Sequence, residues 1–218
     1  MITEPADYFA TTEVGRTDCF LCRPAARLLA DVGPESFTMA GIGPLTPCYA
    51  IVSTIEHLDQ LKDNVAIEKF AAYADKIRLA LIKEYGTCLL TEHGHSPLCT
   101  LADAHTVHCF HPHVLLFPGA PCIQESATES LRNEPGTFTS LVDALKFGRD
   151  LDQYLLVSDT PTSFSVFPAE GGLPRQFARA LVAERLDSID QASWREFPAL
   201  EESEENAAKL KAIIKGDS

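Results

Sequence analysis

His111-Pro112-His113-Val114-Leu115-Leu116-Phe117-Pro118 is the stretch on which the fold of this chain turns. Together with the residues before it, it reads as a strand over Val107–Phe117 that ends at Pro118-Gly119. Side chains alternate along a strand, so His111, His113 and Leu115 are expected on one face and Pro112, Val114 and Leu116 on the other. The two histidines then stand roughly 7 Å apart. Pro112 brings no N–H to a ladder, so the strand lies near a sheet edge or begins there. Adjacent imidazoles repel when both are charged, so at least one should be neutral and free to act as ligand or nucleophile. A pair of half-buried strand histidines without chemistry fits the same three residues.

Working outward, Glu92–Ala104 is polar and rich in His, Pro and Ser, and reads as a loop after a strand at Thr87–Thr91. Before that strand, Val65, Phe70, Tyr73, Ile77, Leu81 and Ile82 form an apolar stripe at helical spacing. The spacing predicts a long helix over Val65–Glu84, capped by Asn64 and closed by Gly86. Ser36–Ala40 and Cys48–Ser53 read as strands around the turn-rich Gly41–Pro47. The turn Gly41-Ile42-Gly43-Pro44 is not a phosphate loop, since no helix follows it. Pro24–Val32 reads as a short helix ended by Gly33-Pro34.

Beyond Pro118, Ala120–Thr139 has the loose composition of a linker. A helix near Leu141–Phe147, strands at Tyr154–Ser158 and Phe164–Phe167, and helices over Leu173–Leu186 and near Ser203–Ile214 complete the chain. The acidic run Glu201–Glu205 suits the positive end of the last helix. Residues 1–18 read as a leader, 19–125 as a core domain and 140–218 as a C-terminal extension packed on it. The order of elements gives an α+β class with a mostly antiparallel sheet, one long helix and a C-terminal α/β extension.

The 218 residues are 45 % hydrophobic, enough for a core without disulfides. A formal net charge of −13 argues against a polynucleotide partner, which needs a basic face. It leaves room for a locally positive pocket that takes one nucleotide. No apolar run approaches the roughly 20 residues of a membrane span. The polar N-terminus lacks a secretory signal, so a cytoplasmic location without membrane attachment is expected. Seven cysteines without regular spacing read as reduced thiols. Among them, Cys19-x-x-Cys22 has the knuckle spacing of a tetrahedral zinc site. The same pair also suits a redox dithiol or plain core cysteines.

Taken with the buried strand Ala50–Ser53 that runs into a polar turn at His57, and with Glu92-His93-Gly94 upstream, the His111–Pro118 motif resembles that of the histidine-triad superfamily. That motif is His-φ-His-φ-His-φ-φ followed closely by Pro, with φ an apolar residue. The register here runs His111, His113, Leu115, with Pro118 in place. Reading Cys109, His111 and His113 as the triad would put Pro118 two residues late. The His-Pro-His is similar to that of the galactose-1-phosphate uridylyltransferase branch. The resemblance covers roughly residues 19–118 and reaches weakly through Gln176, Arg179 and Ser193–Pro198, which look like a C-terminal extension of some bacterial relatives.

The resemblance implies a histidine-triad-like fold and a nucleophile, His113, that attacks the α-phosphorus of a nucleotide or nucleotide derivative. It implies a structural zinc held by Cys19, Cys22, His57 and His111, with His105 or His108 as substitutes for either histidine. It places Glu92, His93 and Gly94 where relatives meet ribose or phosphate, although a plain solvent loop fits equally well. His108 and Arg179 join them as substrate-binding candidates. Arg175, Gln176 and Arg179 share a helix face from which an arginine could clamp phosphate, or simply meet solvent. Relatives pair through the long helix, and Val65–Glu84 is apolar enough to allow a homodimer.

The chain departs from the motif at Leu115, where the triad has His and the uridylyltransferases have Gln. Leucine can neither donate to a phosphoryl oxygen nor carry a proton. Two functions therefore stand open: a nucleotidyl hydrolase or transferase working through a covalent His113 intermediate, and a non-catalytic nucleotide sensor or interaction module.

Overall fold

A computed structural model describes residues 21, 24–56, 58, 60–61, 63–95, 111–170 and 172–216. Eight strands form one antiparallel sheet: β1 (Leu29–Val32), β2 (Ser36–Ala40), β3 (Ala50–Thr54), β4 (Cys88–Gly94), β5 (His113–Pro118), β6 (Gly136–Phe138), β7 (Tyr154–Thr160) and β8 (Ser163–Pro168). Their spatial order is β1-β2-β3-β5-β4-β7-β8-β6. The helices are α1 (Asn64–Tyr85), α2 (Gln124–Leu131), α3 (Leu141–Arg149), α4 (Phe177–Arg185) and α5 (Leu200–Lys215). The expected α+β class with an antiparallel sheet holds. The C-terminal strands do not form a sheet of their own: β7 pairs with β4 and carries β8 and β6 with it.

Both faces of the sheet are covered, which explains why the central strands read as unbroken apolar runs. Val114 and Leu116 of β5 face a core closed by Ile67, Phe70, Ala74, Ile77 and Leu81 of α1 and by Leu141 and Leu145 of α3. Leu115 and Phe117 face a second core, closed by Leu21, Leu28, Ala127 of α2, and Leu181 and Val182 of α4. Helix α5 serves both, Ala207 one core and Leu210 the other.

Several local expectations give way to tertiary contacts. Leu29–Val32, expected as helix, is an edge strand paired with β2 across the Gly33-Pro34 turn, because pairing outweighs weak helical propensity. The cap of α1 is Asp63, whose carboxylate accepts from the Ala66 N–H, one residue before Asn64. Val65 leads the expected stripe but is exposed, and Ile67 takes its place in the core. The stretch Ala120–Thr139, read as linker, contains α2 and β6. Glu92–Gly94, expected as the start of a loop, belong to β4 and pair with β7, and residues 96–104 of that expected loop lie outside the described residues.

Arg78 is fully buried on α1, an ion that no periodicity argument would place there. Its Nε donates to the Cys88 carbonyl at 2.9 Å, and Nη1 and Nη2 donate to the Ser158 hydroxyl and carbonyl at 2.8 and 2.6 Å. One guanidinium thus ties α1 to β4 and β7. Burial lowers its pKa, opposed by Cys88, Asp75 and Asp159 nearby.

Candidate functional site

Strand β5 lies in the middle of the sheet, between β3 and β4, and begins at His113, directly after Pro112. Of the two positions open to a proline-led strand, it takes the start. His113 and Leu115 share a face as expected, whereas His111 precedes the strand and is oriented by other contacts.

Thr54, at the end of β3, organises the turn that holds both histidines. Its N–H donates to the Pro112 carbonyl at 3.1 Å, and its own carbonyl accepts from His111 Nδ1 at 3.1 Å. His113 Nδ1 lies 2.8 Å from the His111 carbonyl. A carbonyl can only accept, so Nδ1–H is the protonated nitrogen and Nε2 of a neutral ring keeps the lone pair. Burial pushes the His113 pKa down, against the hydrogen bond to His111, and so favours that neutral form. The side chain is 8 % exposed.

The sheet forks at this point. β4 and β5 pair from Cys88↔Pro118 to Thr91↔Leu115 and no further. Past that point β5 stays with β3 through Ser53↔His113, and β4 stays with β7 through Gly94↔Tyr154. A cavity opens between the prongs, with Glu92–His95 on one side and His111–His113 on the other. Leu61, Ile67, Leu145, Arg149 and Tyr154 close it on the side of α1 and α3.

The β4 prong is built by packing around Tyr154. Its hydroxyl donates to Glu92 Oε2 at 2.7 Å, deep inside the protein. Burial raises Glu92 to about 7, and the Tyr154 hydrogen bond pulls it back. A Cβ on Gly94 would lie 2.1 Å from the Tyr154 ring, so close approach is what demands glycine there. The left-handed residue is instead His95, at φ 58°, whose Nδ1 donates to the Leu151 carbonyl at 2.7 Å. His93 is different in kind. Burial, and secondarily His113, lower its pKa to about 4, so it is neutral near pH 7. Its Nε2 is buried and has no hydrogen-bond partner among the described residues. The Thr91 hydroxyl is in the same condition.

The structure thus brings Glu92, His93 and Gly94 to the same cavity as His111 and His113. Arg179 lies elsewhere. It is 3 % exposed, with Nε on the Ala192 carbonyl at 3.0 Å and Nη2 on the carbonyls of Gly43 and Gln191 at 2.7 and 3.2 Å. Its guanidinium stacks over Tyr49 at 5.2 Å, and it does not line the cavity. Cys19, Cys22, His57 and His108 lie outside the described residues, as does His105. Among the described residues, no group of three or more His, Cys, Asp or Glu side chains could hold a metal. His111 fits such a role on its own terms, because Nδ1 is engaged by the Thr54 carbonyl, the second contact a metal-bound imidazole needs. Tyr154 and Thr54 were not foreseen as site residues. Each acts through a contact more than 50 positions away in sequence, which leaves no local signal.

No family model matches the sequence, and no curated protein does. Among solved structures the chain is similar to a hypothetical histidine triad nucleotide-binding protein from Sulfolobus tokodaii strain7. That match has 12 % identity and a TM-score of 0.34, over 79 % of this chain and 92 % of that one. It is also similar to yeast Ap4A phosphorylase, solved with AMP (15 % identity, TM-score 0.36) and with Ap4A (13 % identity, TM-score 0.36). Each of these covers 79 % of both chains. No helix among the described residues is long and apolar enough to cross a membrane.

Proposed function

We propose that this chain binds a nucleotide or nucleotide derivative and acts at its α-phosphate through a covalent nucleotidyl-His113 intermediate. One observation carries the reading: His113 Nδ1–H is committed to the His111 carbonyl at 2.8 Å, at the edge of a cavity between two strands. The Nε2 lone pair would form the N–P bond as the bond from phosphorus to the leaving group breaks. Water or another acceptor then attacks phosphorus, the N–P bond breaks, and Nε2 recovers its pair. Throughout, the His111 carbonyl faces the Nδ1–H of a ring that becomes cationic when nucleotidylated, and its dipole favours that charge. Splitting one displacement into two is what a covalent intermediate offers.

His93 and Gly94 belong to the proposed substrate side of the cavity, with Glu92 bracing it through Tyr154, and His108 is proposed as a further substrate contact. Arg179 is left out, since it does not line the cavity and its Nε and Nη2 are held by backbone carbonyls elsewhere. Cys19, Cys22, His57 and His111 form the proposed structural zinc site, which would anchor the turn before β5 without taking part in the reaction. A cytoplasmic location, the absence of a polynucleotide partner, and a homodimer through the outer face of α1 belong to the same reading.

The test uses purified protein and three α-³²P-labelled probes: adenosine phosphoramidate, a diadenosine polyphosphate and a UDP-sugar. Acid-labile label on wild-type protein, lost in His113→Ala, is the expected result. A second reading rests on Leu115, which is 9 % exposed and packed among apolar side chains where the triad has a polar one. In that version the chain is a nucleotide sensor. Calorimetric binding of AMP or UMP that survives His113→Ala, with no label on wild-type protein, would replace the first reading with the second.

A further inference from the structure

Position 115 lacks a polar group, but the fork places another beside His113. Carried two residues beyond Thr91↔Leu115, the register of β4 on β5 sets His93 opposite His113. Directly opposed residues on one face of an antiparallel pair have Cβ atoms about 5 Å apart, and the parting of the strands widens that gap. Both residues line the cavity.

Two further observations concern His93 itself. Its ring is neutral near pH 7, so it carries one N–H and brings no charge to repel a cationic intermediate on His113. Its Nε2 is buried without a partner among the described residues, whereas Nδ1 of His95, His111 and His113 each meets a backbone carbonyl. Buried polar atoms are nearly always paired, so an unpaired one at a cavity wall points to a group that arrives from outside. His93 and His113 both line that cavity, whereas Leu115 packs into the apolar core instead.

We propose that His93, on the strand facing the nucleophile, supplies the phosphoryl-oxygen hydrogen bond that Leu115 has given up. Nε2–H donates to a non-bridging oxygen as negative charge gathers there, and no proton changes hands. This inference rests on the covalent His113 reading and adds a residue from a different strand to it. The ligand it implies carries an α-phosphoryl group whose oxygens enter the fork, with its leaving group directed away from β4.

The experiment measures the single-turnover rate of His113 labelling by α-³²P adenosine phosphoramidate in wild type, His93→Gln and His93→Leu, together with the affinity of each for AMP and its melting temperature. His93→Leu should label about 10²–10³ slower, the usual cost of losing one preorganised donor. His93→Gln, which keeps a side-chain N–H, should recover most of that rate. AMP affinity should change far less than the rate, because the bond strengthens only as charge develops. The melting temperature of His93→Leu should be unchanged or higher, since an unpaired buried nitrogen is removed. Labelling of His93→Leu at the wild-type rate overturns the role of His93 and leaves His113 standing. Equal loss in His93→Leu and His93→Gln, with melting temperatures falling in step, makes the residue structural and overturns the proposal. No labelling of wild-type protein overturns the parent reading and this one together.

Discussion

Glu92 and His93 are neighbours in sequence, point to opposite faces of β4, and are driven from their ordinary pKa values in opposite directions by the same cause. Burial raises the carboxyl to about 7 and lowers the imidazole to about 4, so each is held toward its neutral form. The consequence for stability follows from linkage. Glu92 binds its proton more tightly folded than unfolded, so its penalty is absent below about pH 4.5 and grows as pH rises through 7. Glu92→Gln removes that penalty while keeping an acceptor for the Tyr154 hydroxyl. It should therefore melt close to wild type at pH 4.5 and above it at pH 8, by up to about 3 kcal/mol in denaturant titrations at the higher pH. A difference that does not grow with pH would mean that Glu92 is already ionised in the folded protein at neutrality. Sequence placed both residues near the site, but nothing in Glu92-His93-Gly94 announces that Tyr154, 62 positions on, would take the carboxyl.

At the scale of elements, the decisive event is that β4 and β5 part while each keeps its outer neighbour. Alternation in sequence gives a strand and its two faces; it says nothing of where a pair stops. Here the stop follows from two claims on the chain. Thr54 draws Pro112 and His111 toward β3, and the Tyr154–Glu92 contact, with the ring seated on Gly94, draws β4 toward β7. Helix α1 shows what local signals do fix. Its apolar spacing and its Gly86 terminator at φ 80° were legible, whereas the cap expected at Asn64 is Asp63. Both residues are good caps, and the one whose carboxylate reaches the Ala66 N–H is selected by how the chain enters the helix. Asp63→Ala should cost about 1 kcal/mol of stability in a urea melt, whereas Asn64→Ala should cost less. The reverse order would return the cap to Asn64.

For the whole molecule, the C-terminal third completes the sheet and closes both of its faces. β7 covers the edge of β4, α4 closes the core that Leu115 and Phe117 face, and α5 reaches both cores at the β1 end. A chain ended at residue 139 would expose a long apolar strand edge and leave Arg78 without either Ser158 contact. Such a fragment should show no cooperative thermal transition and should elute as aggregate in size-exclusion chromatography. A sharp melt of a monomeric fragment would show instead that the N-terminal part is an autonomous domain.

The amino-acid pattern by itself determined the class of the fold, the long helix with its Gly86 end, and a strand that carries His113 and Leu115 on one face and ends at Pro118. These depend on spacing between near neighbours, and spacing is written in the chain. Only the tertiary structure decided that Leu29–Val32 is a strand, that Arg179 serves backbone carbonyls, and that His93 and His113 line one cavity where β4 and β5 part. Each of those outcomes is a choice among partners tens of residues apart, made by which polar groups can be satisfied once both faces of the sheet are closed to water.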